Sequence, residues 1–159
     1  MYNHVPENYN CPICLGVQKT ESEATMLRNQ DIVFEDQTIM VFVNSKFVRN
    51  NPGHLIVVPK EHIENIYDLP DDLASPIMSV ARQLAVALKQ VRNCDGITIL
   101  QNNEPASNQH AFHYHLHVYP RFVSDEWTSY VYNTEVSTPE QRKPYADALQ
   151  GYLANNPIN

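Results

Sequence analysis

One nine-residue segment constrains the fold of this chain more than any other. From Ala111 to Tyr119 the sequence AFHYHLHVY alternates imidazoles with apolar and aromatic side chains. Successive side chains of a β-strand point to opposite faces of its sheet, so the alternation predicts a strand over 111–119. Its buried face would carry Phe112, Tyr114, Leu116 and Val118, and its other face His113, His115 and His117. Three histidines in strict register favour a chemical role over a solvent-facing strand with chance histidines.

The spacing of these histidines limits the chemistry that they can share. A strand rises about 3.3 Å per residue, which separates His113 from His117 by about 13 Å along the backbone. One metal ion cannot bind all three, so a catalytic zinc with three histidine ligands would need one from elsewhere and is kept as an alternative. A neutral imidazole can instead attack phosphorus and form a phosphohistidine intermediate, which splits one displacement into two.

The remaining hydrophobic pattern predicts an α+β domain. Residues 31–44 contain two short β-branched and aromatic runs, which predict a hairpin, and further strands are predicted over 54–59 and 96–101. Between 71 and 93 the apolar residues recur every three or four positions, which is one face of a long helix. Because the strands cluster before and after this helix and do not repeat as βαβ units, the sheet is predicted to be mostly antiparallel.

Composition narrows the class of ligand. The chain has 159 residues, enough for one domain with a buried core, and no stretch approaches the ~20 apolar residues of a membrane span. Eleven Lys and Arg against eighteen Asp and Glu give a net charge of -7, which argues against nucleic acid or an anionic membrane as partner and favours a small molecule. The chain has only four glycines, at scattered positions, so its sequence contains none of the Gly-rich loops that bind phosphate.

The cysteines indicate metal chemistry more than disulfides. The N-terminal segment lacks a basic stretch followed by an apolar core, so we expect no secretory signal and a reducing cytoplasm. Cys11 and Cys14, in C-P-I-C, form half a zinc site by spacing, with a redox pair or inert thiols as alternatives. A redox motif usually opens a helix after a strand, whereas this pair lies in a Pro- and Asn-rich segment, which favours zinc. Cys94 is expected to be a bystander.

The segment from His113 to Tyr119 resembles the H-φ-H-φ-H-φ-φ signature of the histidine triad (HIT) superfamily, where φ is apolar. Supporting features are Pro120-Arg121, Gln109, Asn103 and the sequence GHLIVVPKEH over 53–62. The resemblance spans roughly residues 11–122. It implies a HIT-like α+β fold with an antiparallel sheet of about five strands, one long helix and a short helix. It also implies a homodimer that acts on nucleotides as a hydrolase or transferase.

The expected organisation is a single HIT-like domain over 1–159. It would comprise an N-terminal arm with the C-x-x-C pair (1–30), a core (31–122) and a weakly patterned C-terminal tail (123–159).

The resemblance also implies roles for single residues. His115 would be the nucleophile on the α-phosphorus of a nucleotide, with His117 and Gln109 near the phosphate oxygens. Asn44 matches a position where many members bind the ribose hydroxyls with an acidic residue, and Asn103 lies in the loop that binds substrate. His110 stands where relatives place a small hydroxyl residue near the leaving group, and it either donates a proton or fills space.

A complete metal site follows from the same resemblance. Some bacterial-type members complete an N-terminal C-x-x-C with the histidine of a P-K-x-H segment and with the first triad histidine. In this sequence the ligands would be Cys11, Cys14, His62 and His113. Four protein ligands leave no open coordination position, which is typical of structural zinc. Without the resemblance, His62 would be interpreted as an exposed residue at a helix start.

Other positions depart from the family pattern or allow two interpretations. The loop reads N-E-P-A-S-N-Q where relatives often have N-G-x-x-x-G-Q, so Glu104 and Asn108 replace glycines and the loop is expected to differ in shape. His54 either approaches the nucleotide or caps the sheet. Two interpretations apply to Ile32, Phe34, Val41 and Phe42: the lining of a purine pocket or, as is commoner for apolar residues in alternation, plain core.

Two classes of function follow. The first is an enzyme that cleaves a dinucleoside polyphosphate or a nucleoside phosphoramidate at the α-phosphate through a nucleotidyl-His115 intermediate. The second is a noncatalytic nucleotide-binding or zinc-stabilised interaction module, against which the intact triad argues. A zinc hydrolase that uses the strand histidines would lose activity on metal removal while its fold survived, whereas structural zinc predicts unfolding.

Overall fold

The computed structural model describes residues 2–158. Its strands are β1 (Ile32–Glu35), β2 (Ile39–Val43), β3 (Lys46–Val48), β4 (Leu55–Pro59), β5 (Gly96–Gln101), β6 (Leu116–Arg121) and β7 (Thr134–Val136). Its α-helices are α1 (Pro12–Val17), α2 (Asp71–Arg92), α3 (Trp127–Tyr130) and α4 (Pro139–Asn155). Short 3-10 turns occur at Asn29–Asp31, Ile66–Asp68 and Pro105–Ser107.

Five strands form the central sheet in the order β1-β2-β4-β6-β5, and every neighbouring pair is antiparallel. The predicted hairpin over 31–44 is formed by β1 and β2, and β5 has the predicted bounds. β3 and β7 pair with each other in a separate two-stranded sheet. The prediction of an α+β fold with a five-stranded antiparallel sheet, one long helix and a short helix is confirmed.

The central sheet separates two apolar clusters. Alternate residues of β2 and β4, such as Val41 and Val57, pack with α2 and α4 on one face, which we call the helix face. The residues between them, such as Phe42 and Ile56, pack with Ile13 of the N-terminal arm on the other face, which we call the arm face. The period of two along each strand therefore decides which cluster a side chain joins.

Helix α2 follows from the predicted periodicity. Its buried residues are Leu73, Ile77, Val80, Ala81, Leu84, Ala87 and Leu88. Asp71 and Asp72 lie in its first turn and Lys89 and Arg92 in its last, where each charge is favourable to the helix dipole. The helix ends at Asn93, which adopts the left-handed conformation common at C-caps. Within residues 2–158 no helix is long and apolar enough to cross a membrane.

The predicted strand over 111–119 is wrong in its bounds, because β6 begins at Leu116 and ends at Arg121. The alternation still holds in part, since Tyr114, Leu116 and Val118 all lie in the helix-face cluster. Phe112 does not join them.

The reason lies in the chain just before β6. Residues 111–113 bend towards the N-terminal arm, where the Phe112 ring packs edge-on against Tyr9 at 5.7 Å and its backbone amide donates to the Tyr9 hydroxyl.

The weakly patterned segment after residue 123 contains α3, β7 and α4. Helix α4 packs on the helix face of the sheet, with Ala146 and Leu149 fully buried. Its third buried residue, Arg142, occupies the core-facing stripe where an apolar residue would normally mark the helix. A charged residue on that stripe explains why the hydrophobic pattern is faint.

Arg142 connects α4 to the chain just before β1. Its guanidinium pairs with the Asp31 carboxylate at 2.8 Å and donates to the carbonyl oxygens of Ser137 and Met26. The Asp31 carboxylate also accepts from the backbone amide of Arg28. Both side chains are almost completely buried, at 2% and 0% exposure, so each charge depends on its partner for solvation.

We predict that Arg142→Ala lowers the free energy of unfolding by about 3–5 kcal/mol, because it leaves the Asp31 charge buried without a counter-ion. The matched control is Lys143→Ala on the same helix, whose ion pair with Asp147 is half exposed. That change is expected to cost no more than about 1 kcal/mol. Urea unfolding followed by circular dichroism measures both, and equal losses would contradict the prediction.

Candidate active site

Two of the triad histidines face a cavity on the arm face of the sheet. His117 lies in β6, paired with Ile56 of β4 on one side and Leu100 of β5 on the other. His115 immediately precedes the strand, and its ring centroid lies 5.0 Å from that of His117. Both rings line a cavity of about 430 Å³, a size suited to a small organic ligand.

The cavity has an apolar wall and a set of polar groups. The apolar wall is formed by Pro12, Ile13, Met26, Leu27, Phe42 and Ile56. Among the polar lining residues are Asn44, Lys46, Asn108, His110, His115 and His117. Of the four residues considered for a purine pocket, Phe42 alone lines this cavity, while Val41 belongs to the helix-face core.

His115 is held in one tautomer. Its Nδ1 lies 2.6 Å from the carbonyl oxygen of His113, and because a carbonyl only accepts, Nδ1 carries the proton. Burial lowers the pKa of His115 below its usual value, so the ring is neutral near pH 7. Nε2 of the neutral ring therefore carries a lone pair, as a nucleophile requires.

His117 rests on an aromatic stack. Its ring stacks on Tyr119 at 5.4 Å with an interplanar angle of 12°, and its Nδ1 lies 3.2 Å from the Tyr119 hydroxyl. Tyr119 in turn contacts the Trp127 ring edge-on at 4.7 Å. Burial, together with the neighbouring imidazoles of His115 and His54, holds the pKa of His117 well below its usual range. The triad therefore offers neutral hydrogen-bonding rings rather than positive charge.

His54 lies behind the cavity and does not line it. The ring is fully buried, stacks on Tyr119 at 4.1 Å and accepts at Nε2 from the Asn44 side-chain amide at 2.8 Å. Burial lowers the pKa of His54 to about 3, so it stays neutral. The same Asn44 amide donates to the Lys46 carbonyl, which occupies both of its hydrogens and orients its carbonyl oxygen. His54 thus fixes Asn44, the predicted ribose contact.

The loop before the triad holds the two other predicted substrate contacts away from the cavity. Gln109 is buried, and its amide accepts from the Glu104 backbone and donates to the Glu64 carbonyl, both at 2.6 Å. Asn103 accepts from the Ile66 backbone amide at 2.8 Å. Neither residue lines the cavity, whereas the exposed His110 does. The phosphate contacts expected of Gln109 and Asn103 stay predictions.

The two non-glycine residues of this loop adopt backbone conformations that glycine favours. Glu104 has φ +66° and Asn108 has φ +68°. The Glu104 carboxylate is bound by His4 Nε2 at 2.8 Å and by the Tyr67 hydroxyl at 3.0 Å. These partners connect the N-terminal residues to the loop and lower the pKa of Glu104 below its usual value.

The four predicted metal ligands come together. Cys11, Cys14, His62 and His113 each offer one ligand atom, and all four atoms lie within 4.8 Å of one another. Sγ of Cys11 and Sγ of Cys14 each lie 3.5 Å from Nδ1 of His113, and Sγ of Cys14 lies 3.2 Å from Nδ1 of His62. A tetrahedral zinc requires about 3.6 Å between sulfur and nitrogen ligands. The cluster therefore fits a metal ion.

The surroundings of the cluster support the same interpretation. His113 is fully buried and its Nε2 donates to the Pro59 carbonyl at 2.9 Å, which leaves Nδ1 with the lone pair that a metal binds. Burial lowers the pKa of His113 to about 4, so this lone pair stays available. Partial burial and the neighbouring Cys11 raise the pKa of the Cys14 thiol to about 12, so two adjacent thiolates here need a cation beside them. The His113 ring belongs to this cluster and does not line the cavity.

Sequence reasoning missed three residues that shape the site. Ile13 and Leu27 build the apolar wall, and Tyr119 contacts His117. The signal for Ile13 was an apolar residue enclosed between two cysteines, and the signal for Tyr119 was its period-two register with the histidines. Leu27 gave no signal, because it lies in an irregular segment before β1.

Comparisons with known proteins agree with this geometry. The HIT domain family model matches residues 27–123. Protein hit of Bacillus subtilis is 30% identical over 126 residues, which cover 78% of this chain and 86% of that protein. The adenosine 5'-monophosphoramidase of Saccharomyces cerevisiae is 35% identical over 69 residues, 43% of this chain and 41% of that enzyme.

A solved structure described as a Zn-bound histidine triad family protein, from Mycobacterium smegmatis, superposes with a TM-score of 0.73 at 24% identity and covers 92% of this chain and 95% of that one. This similarity shows the shared fold. The family-model match and the 30% identity to Protein hit show that this chain belongs to the HIT domain family.

Proposed function

We propose that this protein is a nucleotide hydrolase or nucleotidyl transferase that acts at the α-phosphate of a dinucleoside polyphosphate or a nucleoside phosphoramidate. The observation that carries the proposal is the state of His115, a neutral imidazole in the cavity wall whose Nδ1 proton is bound by the His113 carbonyl. The monophosphoramidase activity in the name of the yeast relative supports a phosphoramidate as one substrate class.

The first step is displacement at phosphorus by His115. Nε2 forms a bond to the α-phosphorus while the bond from phosphorus to the leaving oxygen or nitrogen breaks, and the leaving group takes a proton. Nδ1 keeps its own proton, so the adduct carries positive charge on the ring, which the His113 carbonyl stabilises. His110, which is exposed and lines the cavity, is the proposed proton donor.

The second step regenerates the imidazole. Water, or another acceptor in a transferase, attacks the phosphorus of the adduct and gives a proton to His110, which lost one in the first step. The phosphorus–nitrogen bond breaks to release the nucleotide and the neutral His115 ring. His117 donates to a non-bridging oxygen when its proton lies on Nε2, with the Tyr119 hydroxyl bound at Nδ1. A donor aimed at such an oxygen contributes about 3 kcal/mol to the transition state.

The remaining groups place the nucleotide. The oriented carbonyl oxygen of Asn44 accepts from a ribose hydroxyl, and the apolar wall with Ile13, Phe42 and Ile56 receives the base. For Gln109 and Asn103 the proposal rests on the family resemblance. The Gln109 side-chain NH2 would exchange the Glu64 carbonyl, and the Asn103 side-chain NH2 the Gln101 side-chain oxygen, for phosphate oxygens.

The metal in the four-ligand cluster is proposed to be structural zinc. Two thiolates and two imidazoles are ligands that zinc prefers, and four of them complete a tetrahedron without an open position for water. Bound zinc would stabilise the two thiolates and hold Cys11, Cys14, His62 and His113 together. Reduced cysteines are required for this, which agrees with the cytoplasmic location expected from the sequence.

A homodimer through the β5 side of the sheet is part of the proposal. β5 is an edge strand of the central sheet, so one side of its backbone is open to pairing. Ile99 of this strand and Met78 and Val86 of α2 are large apolar residues with 41–52% exposure. Such exposed apolar surface is typical of a contact with a second copy.

We predict that His115→Ala reduces release of AMP from adenosine phosphoramidate, diadenosine triphosphate or diadenosine tetraphosphate by about 10³-fold or more, because no nucleophile remains. Chromatography of the products measures turnover. Mass spectrometry after an alkaline quench detects the nucleotidyl adduct in the wild type only. Circular dichroism and metal content serve as controls for folding. Nucleotide binding without turnover by the folded, metal-loaded wild type would instead indicate a binding module.

We predict one zinc ion per chain, lost in Cys14→Ser and retained in Cys94→Ser. Cys94 is the matched control because it is a buried free cysteine outside the cluster. Elemental analysis measures the metal, and thermal unfolding is expected to show a lower Tm for Cys14→Ser, since zinc binding contributes to folding. Turnover at saturating substrate should persist in the folded Cys14→Ser protein. Its complete loss there would favour a zinc hydrolase.

A further inference from the structure

One turn of the N-terminal arm serves both the metal cluster and the cavity. Cys11 caps helix α1, its Sγ accepts from the Cys14 backbone amide, and both cysteines belong to the metal cluster. The two residues between them, Pro12 and Ile13, line the cavity. Two metal ligands therefore enclose two residues of the cavity wall within four consecutive positions.

The wall that this turn builds is a packed unit. Ile13 is 9% exposed and shares one apolar cluster with Leu27, Phe42 and Ile56, all of which line the cavity. Helix α1 approaches Leu27 so closely that a Cβ at Gly16 would lie 2.3 Å from Leu27 Cδ2. A shift of α1 would therefore displace both Ile13 and Leu27.

The rest of the domain is held by other contacts. None of the four metal ligands belongs to the helix-face cluster, which joins the central sheet to α2 and α4. The cluster of the arm face, in contrast, contains Cys11 itself. The unfolding that structural zinc predicts on metal removal should therefore be confined to the arm face, while the central sheet, α2 and α4 stay in place.

We propose that metal occupancy sets the affinity of the cavity for a nucleotide, because the metal fixes α1 and thereby holds Ile13 and Leu27 in the wall that contacts the base. This inference rests on the proposed function, since it takes the ligand of the cavity to be a nucleotide. Ile13 is a positioning residue for the base. The metal affects binding of the base by holding Ile13 in place.

The test compares AMP binding by isothermal titration calorimetry in metal-loaded protein and in protein treated with a chelator under reducing conditions. The variants are Ile13→Ala and Leu15→Ala. Leu15 is the matched control because it lies on the same helix but beside the metal cluster and outside the cavity lining. Circular dichroism checks that the metal-free protein keeps its sheet and helices.

In the metal-loaded protein, Ile13→Ala is expected to raise the Kd for AMP about tenfold and Leu15→Ala less than about twofold. Metal removal from the wild type should raise the Kd by about tenfold or more. In the metal-free protein, Ile13→Ala should then have almost no further effect, because the wall is already displaced. By linkage, saturating AMP should strengthen zinc binding by the same factor, which competition with a chelator measures.

Three results would overturn the inference while leaving the proposed function intact. The first is an unchanged Kd for AMP after metal removal. The second is an equal tenfold effect of Ile13→Ala on this Kd with and without metal. The third is loss of all secondary structure on metal removal, which would show that the whole fold requires the metal. If chelation causes aggregation, Cys14→Ser, which is expected to lose the zinc and lies outside the cavity lining, replaces it. Failure of the metal-loaded wild type to bind AMP would refute the proposed function and, with it, this inference.

Discussion

Burial of Tyr114, Leu116 and Val118 in the helix-face core is the constraint on which the site depends. These side chains fix the register of the chain before and within β6, and a slip of one residue would exchange the two faces. With that register fixed, the rings of His115 and His117 stand in the cavity on the arm face. The apolar packing of one face thus positions the imidazoles of the other.

His113 couples this register to the metal cluster. Its ring lies between the two cysteines, while its carbonyl oxygen accepts the Nδ1 proton of His115. One residue therefore contributes a metal ligand through its side chain and fixes the tautomer of the nucleophile through its backbone. Sequence reasoning assigned His113 to both the triad and the metal, and the structure shows how the two assignments are compatible.

The sequence predicts what local periodicity and spacing determine. Strands β1, β2, β4 and β5 and helix α2 follow from patterns that can be read in short windows, and the gathering of Cys11, Cys14, His62 and His113 follows from the resemblance. The start of β6 does not, because it depends on Tyr9 holding Phe112 from about a hundred residues away. Helix α4 does not either, because its buried stripe includes a charge whose partner, Asp31, is remote in sequence.

Gln109 shows a second limit of prediction from sequence. The sequence identified it as a candidate site residue but did not identify its hydrogen-bond partners. Its side chain binds the backbone of Glu104 and Glu64, contacts that no side-chain pattern reveals.

The conformation of Glu104 argues that the shape of this loop matters to the site. A non-glycine residue at φ +66° with ψ 157° costs about 1–3 kcal/mol, and such strain persists only where the surroundings impose it. Here the Gln109 side chain accepts from the strained residue's own amide, while His4 and Tyr67 bind its carboxylate. Glu104 thus adopts a backbone conformation that glycine favours, and its carboxylate tethers the loop to His4 near the N-terminus. Hydrogen bonds at Glu104 therefore hold the backbone of this loop in its shape beside the triad.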